Sequence, residues 1–591
     1  MNRMDLSWIL KVVLLLSFVV AQTVEGRGYP LVDFRLTSSV LRKPEFFAQT
    51  LKVHARHPGA FDGVWFGGGK PLARLDVCES VLDKLSALRP EVEKAGLRVG
   101  FQQGITLGHG AVYVGSVAAL RADEAEAFGD ADWMVRSSGE VACWRNLCPR
   151  SPAVLDYEYR YVKTVLATLR PESFWLDDDL RLAVGRDGCF CPRCLSDFNE
   201  QIGGTLSREQ LVGRLYGTQE RDPIRLAWIR FNEESLAQYG RVVRKAADEV
   251  MPECRLSVQT VSADCLWNGR DYGPLLRALS ADGRIPAGIR PGHGYYIEDN
   301  PFGLLEKALW CTREAERCRQ LGKVCATVCY EQETYPRRVM FKSPQAIVTE
   351  CALALASGCD SLSLYWADGE DVEPIEDYER FVQAIDAARP YFERLSASTR
   401  RTSLGGVARY LGSHVCEQQG GTLSDPSDLD LMRTGIPVTV AESSAAYKVW
   451  RLTARSRAAM EDEELALVRQ GGVLEIEAES RPMVSMRTQW LDEIDRLTKG
   501  RFPVRIDLPH ALRVLPRVDA NGRTDSVTLL NLSIGDVDDL TVRIRNPRGL
   551  RATLADPRGE RAIPVSIDAD RDELIVTIPR LGGWQIATVF L

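Results

Sequence analysis

Ser173 to Asp179 reads SFWLDDD, and a few residues later Gly188 to Cys194 reads GCFCPRC. A short apolar run that ends abruptly on three carboxylates has the form of a strand buried on both faces, with chemistry at its tip. The same form recurs on either side: YPLVDFRL, FDGVWFGG and GLRVGFQQG before it, and CRLSVQTV, IPAGIRPGHGYY, KVCATVCYE and CDSLSLYW after it. Amphipathic stretches at 75–94, 223–250, 303–321 and 344–357 separate several of these runs. Strands alternating with helices predict a parallel sheet, and a count of eight predicts a TIM (β/α)8 barrel over residues 27–400. In that fold the active site lies at the C-terminal ends of the strands. Polar tips occur where the fold asks for them: Asp33 and Arg35, Gln102 and Gln103, Asp177 to Asp179, Glu331 and Glu333. An open doubly wound sheet is the competing reading, but no phosphate-binding glycine fingerprint follows the first strand. Gly67-Gly68-Gly69-Lys70 lacks the spacing and the Ser/Thr of a P-loop and reads as a tight turn.

The pattern changes after Arg401. Residues 401–495 read as a smaller α/β domain, with a strand near Gly405–Gly412 and a helix near Met460–Arg469. The acidic run Glu461–Glu464 suits the start of that helix better than a cation site. Residues 496–591 alternate apolar and polar side chains between Gly, Pro, Asn and Asp, which predicts an antiparallel β-sandwich. A chain of 591 residues exceeds what one core supports. Its net charge of −7, without a Lys/Arg-rich block, argues against nucleic acid as a partner.

Residues 1–26 read as a signal peptide. Val12–Ala21 (VVLLLSFVVA) is apolar, Arg3 precedes it and small residues follow. That run is too short to span a bilayer, which takes about 20 residues. The expected location is secreted or periplasmic, with no membrane contact after cleavage.

Cys189, Cys191 and Cys194, with Cys148 upstream in LCPRSP, have the spacing of a closed four-thiolate zinc site. Such a zinc is structural, because no coordination position stays open. Two disulfides are the alternative in an exported chain. Cys311 and Cys318 lie seven apart and are either free or bridged. Cys325, Cys329, Cys351 and Cys359 read as small buried apolar residues.

Cleaving a glycosidic bond takes a carboxylic acid to protonate the leaving oxygen and a carboxylate to attack the sugar or to activate water. The acidic tips of strands four and seven can face each other across a barrel mouth. The bland alternative is that these acids cap helices or pair with arginines such as Arg181 and Arg337. Tyr365 and Trp366 point to opposite faces, so one of them is expected under the sugar, and Trp366 is the candidate. His109 and His293 follow strands three and six, and His293 is a candidate substrate contact.

These motifs resemble those of the glycoside hydrolase family 42 beta-galactosidases. The LCPRSP segment, the acidic strand tip followed by GCFCPRC, and Tyr330-Glu331-Gln332 carry the resemblance, which runs over nearly the whole mature chain. It implies that Glu331 is the nucleophile, that Asp179 stands where the family has its acid/base Glu, and that Asp178 stands at the preceding Asn. It implies substrate contacts for Asp178, at the sugar 2-hydroxyl, and for Arg145; Glu333 is a rival to Glu331 or a substrate contact, because alternate residues share a strand face. It also implies structural zinc, a flavodoxin-like trimerisation domain over 401–495, an oligosaccharide or glycoside substrate and a homotrimer. The expected activity is that of an exported, retaining glycoside hydrolase. The alternatives are a non-catalytic carbohydrate-binding protein on a decayed barrel and a zinc hydrolase, for which the cysteine cluster offers no open position.

Overall fold

The computed structural model describes residues 30–591 apart from 68–73, 109–131, 141–145, 183–187, 218–221, 261–271, 293–294, 368–372, 411–430, 442–448, 453–456, 458–459, 476–483 and 508–509. Eight parallel strands close into a barrel: β1 (Leu31–Leu36), β2 (Gly63–Gly67), β3 (Arg98–Gln102), β4 (Ser173–Leu176), β5 (Arg255–Thr260), β6 (Ala287–Pro291), β7 (Cys325–Glu333) and β8 (Ser361–Tyr365). β1 completes the ring by pairing with both β2 and β8, and Asp33 sits between Gly63 and Ser363. The helices of this unit are α1 (Pro44–Arg56), α2 (Leu75–Lys94), α3 (Pro152–Leu169), α4 (Pro192–Ile202) and α5 (Arg208–Tyr216). They continue with α6 (Pro223–Val250), α7 (Gly273–Leu279), α8 (Pro301–Leu321), α9 (Pro344–Ser357) and α10 (Ile375–Arg401). Many begin on a proline, whose missing N–H is no loss in a first turn. Asn300 and Ser343 cap α8 and α9 by accepting from the backbone N–H groups of Gly303 and Ala346.

Parity along each strand sorts the side chains. Val32, Phe34, Val64, Phe101 and Phe174 point outward into the layer beneath the helices. The inward residues stack by height. Trp65 and Trp175 fill the interior as a stacked pair, 4.6 Å between centroids, beside Cys329. Neighbouring strands carry glycine to make room: a Cβ on Gly100 would meet Trp65 Cδ1 at 2.6 Å, and one on Gly288 would meet Trp175 Cη2 at 2.9 Å. Above the indoles the inward positions turn polar: Arg35, Gln102, Asp177, Gln259, Arg290 and Glu331, all buried. This polar layer is the floor of the barrel mouth.

After α10 the chain makes β9 (Ser403–Leu404), then β10 (Val407–Tyr410), β11 (Val438–Ala441), β12 (Val449–Leu452) and β13 (Gly472–Glu475). The last four form a parallel sheet in the order β11-β10-β12-β13, the 2-1-3-4 arrangement of flavodoxin-like folds. α11 (Asp462–Arg469) and α12 (Val484–Thr498) accompany it. Glu461 and Glu464 make a reciprocal capping box at the start of α11, so that acidic run serves the helix. The remaining strands, between Val504 and Phe590, form two antiparallel sheets of four and six strands, and β9 supplies one edge of the larger.

α10 joins the barrel to the sandwich. Tyr391 bonds Thr588 at 2.8 Å, and Ser398 donates to the buried Asp525 at 2.6 Å. Arg401 and Arg548 reach the same carboxylate at 3.0 and 2.6 Å. Burial alone would raise the Asp525 pKa, but Ser398, Arg548 and Arg401 outweigh it and leave it lowered. A depressed folded pKa gives stability that is present above the unfolded value of about 3.9 and is lost as pH falls through the folded value. The midpoint of thermal unfolding is therefore expected to fall below about pH 4, and Asp525→Asn should weaken that dependence while lowering the midpoint at neutral pH. An unchanged midpoint at pH 7 in the variant would dismiss this seam as a stabilising contact.

Candidate active site

Glu331 occupies the inward parity near the end of β7 and is 5% exposed. Arg290 from β6 reaches its Oε1 at 2.7 Å, and Arg35 from β1 reaches the same oxygen at 3.1 Å. Behind the strand, the buried Lys307 of α8 donates to the Glu331 backbone carbonyl, and its ammonium sits 4.6 Å from the Tyr330 ring centroid. Burial pushes the Glu331 pKa up, but Arg290, Lys307 and Arg35 together prevail and hold it below the usual carboxylate range. An anionic carboxylate under three cations is the protonation state a nucleophile needs. The charge of Asp178 acts on it in the opposite sense.

Glu333 lies on the same strand face, less buried, and pairs with Arg337 at 2.9 Å. A second buried ammonium, Lys342, holds the Glu333 backbone carbonyl at 2.8 Å and pairs with the buried Glu350 at 2.7 Å. The register of the two glutamates is thus held from behind by Lys307 and Lys342. Arg337 also lies over Tyr365, 4.0 Å from its centroid, with Arg35 at 4.7 Å from the same ring. At the rim, Tyr296 and Tyr335 stand edge to face at 6.0 Å and are 41% and 46% exposed. Burial, then Glu333, Glu331 and Asp178, push the Tyr296 hydroxyl well up, which ties this ring electrostatically to the acids below it.

The three aspartates part company. Asp177 keeps the inward parity of β4 and is buried, with the Gln102 and Gln259 amides at 3.2 and 3.4 Å. Asp178 is half-buried at the mouth, where it bears electrostatically on Glu331, Arg290 and Tyr296. Asp179 is fully buried. Its carboxylate accepts the backbone N–H groups of Thr106 (2.8 and 3.0 Å) and Gly108 (2.7 Å), together with the Thr106 hydroxyl. Asp179, expected as the acid/base, thus faces the loop after β3. Both its oxygens accept N–H donors of the loop after β3, so it braces that loop.

Trp366, expected under the sugar, faces away from the mouth. It is 3% exposed and packs outside the barrel against Phe34 at 4.8 Å and Phe381 at 5.7 Å. Tyr365 is the member of that pair that faces the mouth. Arg145, His109 and His293 lie outside the described residues. Sequence reading passed over Arg290, Lys307, Tyr296 and Tyr335 as site residues. For Arg290 the signal was available, because a charged residue at an inward position of a barrel strand has nowhere to go but the polar layer.

Beside the mouth, Cys148, Cys189, Cys191 and Cys194 converge, all buried, with their sulfurs within 4.8 Å of one another. Cys148 lies 3.5 Å from Cys194 and 3.8 Å from Cys191. A tetrahedron with Zn–S bonds of about 2.3 Å has edges of about 3.8 Å, whereas a disulfide needs about 2.05 Å. The four thiols therefore fit a metal ion better than two bridges. The cluster gathers the loop after β3, the loop after β4 and the start of α4. Arg193 pairs with Asp132 at 2.6 Å, Phe190 N–H bonds the Val135 carbonyl at 2.8 Å, and Asn146 bonds the Gly108 carbonyl at 2.5 Å. The last contact links the cluster to the segment that Asp179 holds.

No family model and no curated protein matches this chain. Solved structures do match in fold. An alpha-L-fucosidase isoenzyme 2 from Paenibacillus thiaminolyticus superposes with a TM-score of 0.60 at 14% identity, over 92% of this chain and 96% of that one. A beta-galactosidase from Bacillus circulans sp. alkalophilus gives 0.61 at 11% identity, over 96% and 99%. A beta-galactosidase from Rahnella sp. R3 gives 0.57 at 11%, over 96% and 100%. At this identity the likeness shows the fold alone, a TIM barrel followed by further units in the same chain.

Proposed function

We propose that this chain is an exported glycoside hydrolase, a divergent relative of the family 42 beta-galactosidases, that uses a two-carboxylate retaining mechanism. One observation carries the reading. Glu331 is held ionised by Arg290, Lys307 and Arg35 and feels the half-buried Asp178 in the same mouth.

In this mechanism Glu331 attacks the anomeric carbon and the leaving oxygen takes the proton of Asp178. Asp178 then deprotonates the water that releases the sugar, while Arg290 and Arg35 steady Glu331 as its charge is spent and restored. Asp177, presented by two glutamine amides, accepts a hydroxyl beside the reacting carbon. Tyr296 and Tyr335 offer apolar ring faces to a sugar at the entrance. The acid role thus sits one residue before the position at which the resemblance put it. Cys148, Cys189, Cys191 and Cys194 would hold a zinc ion, which would supply no chemistry to the reaction and would brace the loops of the mouth. The fucosidase and galactosidase likenesses support galactosides and fucosides as the first substrates to try.

The deciding experiment compares Asp178→Asn with Asp179→Asn on aryl glycosides of those sugars. Losing a general acid costs about 10²–10⁴-fold in rate, and the loss should shrink for aryl leaving groups that depart without a proton. Asp178→Asn is expected to behave so, with its melting unchanged. Asp179→Asn should lower the melting midpoint, because an amide cannot accept at both oxygens. If Asp178→Asn is as active as the parent on poor leaving groups, the acid assignment fails. Glycan binding without turnover across the panel would favour the carbohydrate-binding alternative.

A further inference from the structure

Cys318, one turn from the end of α8, and Cys325, the first residue of β7, bring their sulfurs to 2.9 Å. The two residues line a cleft of about 200 Å3 on the face of the barrel opposite the mouth, together with Arg319, Gly358, Asp360 and Arg400. Each is 5% exposed. The remaining buried thiols differ. Cys311 and Cys359 also lie side by side, but both are completely enclosed. Cys148, Cys189, Cys191 and Cys194 form the metal-type cluster.

We propose that Cys318 and Cys325 form a redox-active dithiol that closes to an intramolecular disulfide in an oxidising compartment. The chemistry is thiol–disulfide exchange with a small disulfide such as oxidised glutathione entering the cleft. One thiolate attacks a sulfur of the oxidant, its S–S bond breaks and one glutathione leaves as the thiolate. The second thiolate then attacks the mixed disulfide at the protein sulfur and expels the second glutathione. Two protein thiols are oxidised by two electrons, and one disulfide is reduced to two thiols. The sulfurs need to close from 2.9 Å to about 2.05 Å, a movement within reach of side-chain rotation. The bond staples α8 to β7, so it constrains the strand that carries Glu331 and Glu333 from the far end of the barrel. A short loop gives less stabilisation than a long one, so a modest rise in midpoint is expected.

The test uses the full chain, reduced, then exposed to oxidised glutathione, alkylated and mapped by peptide mass. The expected result is a link between the peptides holding Cys318 and Cys325, lighter by two hydrogens, with the midpoint raised by about 2–4 °C. Both changes should vanish in Cys318→Ser and Cys325→Ser and persist in Cys311→Ser. Separate alkylation of Cys318 and Cys325 after oxidation overturns the proposal, as does either residue linked to a different cysteine. A glutathione adduct that persists on one of them overturns the closing step. None of these outcomes depends on glycosidase activity.

Discussion

Glu331→Gln is expected to lower kcat/KM by about 10⁴-fold or more, the order seen when a nucleophile is removed from a working catalytic set. The amide keeps the shape of the side chain and loses the charge that attacks. The same charge balances Arg290 and Arg35, so the substitution also strands two buried guanidinium groups. Breaking a buried pair by removing one partner costs about 3–5 kcal/mol. The variant should therefore melt lower as well as fail to turn over. Glu333→Gln separates the two effects. Its partner Arg337 retains Tyr365 and Tyr335 as ring contacts, so a smaller change in both measurements is expected. Wild-type activity in Glu331→Gln, or a larger loss in Glu333→Gln, would remove Glu331 from the nucleophile's role.

Cys191→Ser is expected to lower the zinc content below one ion per chain and to open the loops around the cluster. Structural zinc bound by four thiolates carries an apparent free energy of about 10–16 kcal/mol in small domains, comparable to or above the whole stability of a typical domain. Here the barrel has its own core, so the loss should concentrate in the segments the cluster gathers, 132–135, 146–148 and 188–202. Limited proteolysis should cut there first, and activity should fall because Asn146 and Asp179 both bear on the Thr106–Gly108 segment. A strong chelator should reproduce the pattern in the parent. Metal-free protein with unchanged melting and proteolysis, or four sulfurs recovered as two disulfides, would end the zinc reading.

The barrel was legible because its strands are buried on both faces and stay apolar until their tips. Continuous runs such as SFWL and GVWF admit few other structures when eight strands alternate with amphipathic helices. Helices 75–94, 223–250 and 344–357 fall where their apolar periods predict, and the last two begin on a proline. The assignment of the aspartates was less accessible. Asp177 follows strand parity, but β4 ends at Leu176. Beyond that point the chain turns, with Leu180 N–H bonding the Asp177 carbonyl and Arg181 N–H that of Asp179, and alternation no longer tells which way a side chain points. Trp366 failed for a related reason: one residue past the end of β8 it keeps the outward parity and joins the core.

Local patterning thus determined the barrel, the order of the units behind it and the cysteine cluster, because hydrophobic period and ligand spacing are properties of short stretches. Which acid faces the pocket was decided only by tertiary structure. Asp179 is captured by backbone donors more than 70 residues earlier in the chain, and Glu331 is charged by Arg35, Arg290 and Lys307 from three separate elements. Such long-range contacts set charge and direction, and a linear pattern carries neither.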